Sequence, residues 1–148
     1  MEAIILQQRT RALNGVIDSH WFENEKIGLL RTLFHRIVIP LEPFDSGLDY
    51  ISQPESTEIY IDWVNLGISE TEKPSSFNLT KDGHIDYEAS IYIGAAHNPI
   101  HVEELRIEYL GEDMYTIQGK IHVDFEYERV AQNEYFQFQT TLEYRNAT

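Results

Sequence analysis

From Ile117 to Tyr127 the chain alternates with a period of two. The odd positions read Ile117, Gly119, Ile121, Val123, Phe125 and Tyr127, and the even ones Gln118, Lys120, His122, Asp124 and Glu126. That pattern predicts a half-buried strand with one wet face. Phe136, Phe138, Leu142 and Tyr144 alternate in the same way with Gln137, Gln139, Thr141 and Glu143, and the short connection Arg129–Glu134 predicts an antiparallel hairpin between the two. Pairing Tyr127 with Phe136 sets its expected register and brings Lys120 opposite Glu143. Leu105, Ile107 and Tyr109 continue the alternation upstream, and Gly111-Glu112-Asp113 reads as a three-residue turn that pairs position 108 with 116 and Glu104 with Lys120.

Residues 98–111 carry competing signals. Asn98, Pro99 and Gly111 stand where a helix would take its cap, its first residue and its stop. The alternation of Ile107 and Tyr109 favours a strand, and the break in parity at Glu103-Glu104 predicts a bulge. Three further strands are expected at 28–41, 58–64 and 87–93. Asn14-Gly15, between Leu13 and Val16, reads as a tight hairpin turn pairing Arg11 with Asp18. Residues 42–57 (Pro43, Gly47, Pro54) and 65–84 (Pro74, Lys81-Asp82-Gly83) read as loops. The expected fold is therefore mainly β, or α+β. It is an antiparallel sheet, sandwich or partly closed barrel with at most one or two short helices, forming a single domain over 1–148.

Composition narrows the function classes. The chain has no cysteine, which removes disulfides, thiol nucleophiles and thiolate zinc sites together. Its net charge is −14. Such a surface repels nucleic acid and anionic membranes and steers in a basic protein. The charge is uneven: Arg9, Arg11, Lys26, Arg31 and Arg36 outnumber the four acids of residues 1–37, so the excess acid lies beyond. Glu2 stands where a signal peptide carries positive charge and the first apolar run stops after Leu6, which predicts a cytoplasmic protein. On that expectation the N-x-S/T matches at Asn78 and Asn146 carry no weight.

Catalytic signatures are sparse. There is no glycine-rich phosphate loop and no G-x-S-x-G elbow. Ser19 and His20 are neighbours on a strand and point to opposite faces. His35, inside the run Leu33–Val38, reads as a core histidine. His97 and His101, or His122 beside Asp124, are metal-ligand candidates that lack a third ligand, so neither a metal nor a cofactor is assigned. Lys81–Asp86 lacks the acids of a calcium loop and reads as a turn.

The remaining candidate is a surface. Asp124, Glu126, Glu128 and Glu134 form the acidic end of the wet face and are the expected contacts for a basic partner. In size, acidity and absence of catalytic motifs the chain resembles small bacterial immunity proteins, compact acidic domains that bind and mask a basic toxin. That resemblance implies a non-enzymatic inhibitor and assigns no residue. Two other classes stay open: a small-molecule-binding or enzymatic β-barrel with an internal pocket, and a homo-oligomeric structural subunit.

Overall fold

In the computed structural model, which describes residues 1–146, inward-pointing branched residues build a closed barrel. Its strands are β1 (Gly15–Asn24), β2 (Leu29–Pro40), β3 (Glu58–Val64), β5 (Glu88–Ile93), β6 (Ala96–Gly111), β7 (Met114–Val123) and β8 (Glu134–Tyr144). They pair in the order β6-β5-β3-β2-β1-β8-β7, and β7 pairs back onto β6. Every pairing is antiparallel except β1 with β8, which is parallel. β4 (Phe77–Thr80) adds to the edge of β6 beyond the point where β5 leaves it.

Period-two burial explains the closure. On β2, Leu33, His35, Ile37 and Ile39 face inward, while Phe34, Arg36 and Val38 face out. Of the inward-facing residues, Ile37 and Ile39 join Ile17, Ile59, Ile61, Ile91, Val102, Leu105, Ile107, Ile121, Phe136 and Leu142 in one contiguous core. Burying each such side chain contributes about 1.5–3 kcal/mol before entropy is counted. The N-terminal segment lies across one end of the barrel. Ile4 and Leu6 are buried there, and α1 (Leu6–Arg9) makes a single helical turn.

Several expectations hold. β2, β3 and β5 lie where the sequence places them, and 96–111 is one long strand with an extra residue at Glu103 between Val102↔Ile121 and Glu104↔Lys120. Glu108 does pair with Thr116.

Others are corrected. Asn14-Gly15 is not a hairpin turn, because no strand precedes it; α1 and an extended segment do. A Cβ at Gly15 would sit 2.4 Å from the Val38 carbonyl oxygen, so close approach of β2, not a turn, accounts for the glycine. The β6–β7 turn has two residues, Glu112 and Asp113, both left-handed (φ 52° and 65°), with Leu110 as the extra residue. β7 ends at Val123, not Tyr127, and pairs Ile121 with Phe136, so Lys120 lies between Glu104 and Gln137 rather than beside Glu143. The region 65–84 contains β4. Of the Asn146 motif, Ala147 and Thr148 lie outside the described residues. Among the described residues no helix is long and apolar enough to cross a membrane.

Candidate binding surface at the loop end of the barrel

β7 stops at Val123 because the chain turns inward on Phe125, which is fully buried, and again on Ala131. Between these anchors the loop is tied to itself. Asp124 Oδ1 accepts from the Tyr127 amide (3.1 Å), Glu126 Oε2 from the Asn133 amide (3.0 Å), and Asn133 Oδ1 from the Glu126 amide (2.9 Å). The Val130 amide donates to the Phe125 carbonyl (3.0 Å). The result is a rigid tip that exposes Glu126, Tyr127, Glu128 and Arg129.

The four predicted contacts are thus separated by role. Asp124 and Glu126 do not share a strand face; each braces the loop with one carboxylate oxygen. Glu134 begins β8 and turns to the N-terminal segment. Its Oε2 accepts from the Ile5 amide (3.0 Å) and its Oε1 from the Leu6 amide (2.5 Å), satisfying two of the free N–H groups of the α1 turn. Glu128 stays exposed.

The loop 42–57, expected from its prolines and glycine, joins this tip, a meeting that no local pattern signals. Residues 42–57 are pinned by Phe44, which is buried and bridges to Glu55, and by Gln53, whose side chain bonds Ser46 and Leu48. Leu48, Tyr50 and Val130 all crowd against Gly94 in the β5–β6 turn, and the Tyr50 hydroxyl donates to its carbonyl (3.1 Å). This contact brings Asp49 and the exposed ring of Tyr50 to the same barrel end as Tyr127 and Glu128. Across the loops at that end, Glu2, Glu42, Asp45, Asp49, Glu55, Asp124, Glu126 and Glu128 face only Arg9, Arg11 and Arg129. Arg11 is already paired with Glu42, and Arg9 donates to the Asp45 carbonyl (2.7 Å). The end therefore carries uncompensated negative charge on braced backbone.

The outer face of β6–β8 is mixed rather than acidic. Glu104, Arg106 and Glu108 stand beside Gln118 and Lys120, with Gln137 and Gln139 beyond them. Of the three histidines named as metal candidates, His97 and His101 lie four residues apart on an extended strand, about 13 Å, and do not converge. His101 is instead the cross-strand partner of His122. Among the described residues no group of three or more His, Asp or Glu side chains is placed to hold a metal.

Inside the barrel, His35 is 1% exposed and neither ring nitrogen has a hydrogen-bond partner among the described residues. Burial pushes its pKa down to about 4, against the opposing pull of Asp18 and with a small push from His20. Tyr115 is buried too. Its hydroxyl donates to the Pro74 carbonyl (2.5 Å), and burial raises its pKa to about 12. Neither group reaches a solvent-filled cleft. Trp63, in a left-handed bulge of β3, packs edge-on against His20, Phe22 and Phe34 on the outer wall. This aromatic group was not legible in sequence, because it depends on the shift between His35↔Val64 and Ile37↔Ile61.

Comparison with protein-family models, curated proteins and solved structures found no match for this chain.

Proposed function

We propose that the chain is a non-enzymatic, acidic protein-binding domain of the cytoplasm. In this reading it is an immunity- or inhibitor-type protein that masks a basic toxin or enzyme with the loop end of its barrel. The supporting observation is the gathering of carboxylates from two loops distant in sequence, 42–57 and 124–133, at one end of a rigid scaffold. Exposed Tyr50 and Tyr127 stand among them, and tyrosine in such a setting supplies contact area at low entropic cost. Negative potential there accelerates encounter with a Lys- and Arg-rich surface. Braced loops lose little freedom on docking.

A pocket-bearing barrel is the less supported reading, since the barrel interior is occupied by the side chains of its own core. The test begins with capture on the immobilised chain from its native host at low and high salt. The expected result is one basic protein, released by salt and no longer retained by a D49K/E128K variant. These positions are exposed, and reversing them leaves the loop-bracing bonds of Asp124 and Glu126 intact. Retention of the same protein by the variant at low salt would remove this surface from consideration.

A further inference from the structure

His101 on β6 and His122 on β7 sit directly opposite each other on the outer wall, with ring centroids 6.2 Å apart and planes inclined by 28°. His101 is exposed and His122 half-buried, so this pair faces solvent rather than core. Tyr135, the β8 partner of His122, packs its ring edge-on against that imidazole at 4.9 Å and limits its freedom. We propose that His101 and His122 form a two-imidazole chelate for a late divalent transition metal, with water completing the coordination sphere.

Directly opposed residues on antiparallel strands hold their Cβ atoms about 4.5–5.5 Å apart. Imidazole nitrogens bind such metals at about 2.0–2.1 Å, so two of them must approach to about 3 Å. Rotation of the rings about their side-chain bonds closes the stacked pair to that separation without moving the strands. Neutral imidazoles favour copper most strongly among the divalent ions of this row, whereas magnesium and calcium prefer oxygen ligands. His97 is excluded by distance along β6, and its ring packs against Tyr92 instead. With only two protein ligands the site is open and loads reversibly. Protons compete for the same nitrogens. The charged and titratable neighbours are Glu88, Asp62, Tyr60, Tyr87 and His97, which line the same groove as His101, together with Tyr135 and Lys120; the Glu88 and Asp62 carboxylates favour the cation. The Lys120 ammonium lies 4.9 Å from the Tyr135 ring and opposes the cation.

The experiment titrates Cu(II) into the full chain, reading electron paramagnetic resonance and thermal unfolding. One equivalent should bind with hyperfine coupling from two imidazole nitrogens and raise Tm by about 4 °C at a tenfold excess over Kd. H101Q and H122Q should each weaken binding at least about tenfold, H97Q should leave it unchanged, and Mg(II) should have no effect. Both substituted side chains face outward, so circular dichroism should report an intact fold; if one variant fails to fold, the other decides. Unchanged stoichiometry and coupling in H101Q or H122Q, or equal weakening by H97Q, would overturn the proposal.

Discussion

Replacing His35 with leucine removes the one imidazole sealed inside the barrel. Its folded-state pKa, about 4, lies below the ordinary value of 6.5, so the unfolded chain takes up the proton first as pH falls. Stability is therefore complete above about pH 6.5 and declines toward pH 4, by at most about 3 kcal/mol from this residue alone. At pH 5 about 2 kcal/mol of that is already lost. His35→Leu deletes this component and leaves an apolar side chain among Leu33, Ile37 and Val64, so at pH 7 the variant should be at least as stable as the parent. Urea unfolding of both proteins at pH 7 and pH 5 measures the difference directly, because the carboxylates contribute equally to each. The parent should lose about 2 kcal/mol more than His35→Leu between the two pH values. Equal losses would mean that burial does not hold this imidazole neutral.

Two further expectations concern the scaffold. A Cβ at Gly119 (φ +150°) would lie 1.9 Å from the Glu104 carbonyl oxygen, a backbone atom that cannot yield, so Gly119→Ala should cost about 3 kcal/mol or more. Gly28→Ala, where a Cβ meets nothing within 4 Å, should cost only about 1 kcal/mol, and thermal unfolding compares the two. Glu134→Ala leaves the Ile5 and Leu6 amides without their acceptor and should cost about 1–2 kcal/mol, with faster hydrogen exchange over residues 4–10 while β8 stays protected. Unchanged exchange there would separate Glu134 from the N-terminal segment.

Strands were legible on β2, β3, β5 and β6, where branched and aromatic residues run on, and the parity break at Glu103 located a real bulge. The same signal misled at the end of β7. Phe125 keeps the odd parity although the backbone has already left the sheet, because a turn anchored by one buried ring buries it as a strand would. That error moved the register of the last hairpin and placed Asp124 and Glu126 on a face they do not occupy. β4 is four residues between polar turns, and its two periods, Phe77-Asn78 and Leu79-Thr80, are too short to stand out from the loop around them. The parallel β1–β8 pairing, the plug formed by Ile4 and Leu6, and the meeting of two loops at Gly94 join positions more than 35 residues apart, which no local pattern encodes. The acidity of Asp124, Glu126 and Glu128 was legible in the sequence, but its meeting with the 42–57 loop at one barrel end required the fold.

The central claim is that this acidic loop end docks a basic protein. Stopped-flow association of the captured partner with the parent and the D49K/E128K variant, at low and physiological ionic strength, tests it most directly. The parent rate should fall steeply with salt, and at low salt the variant should associate about tenfold more slowly with little change in dissociation. An association rate that is insensitive to both salt and charge reversal would contradict the account.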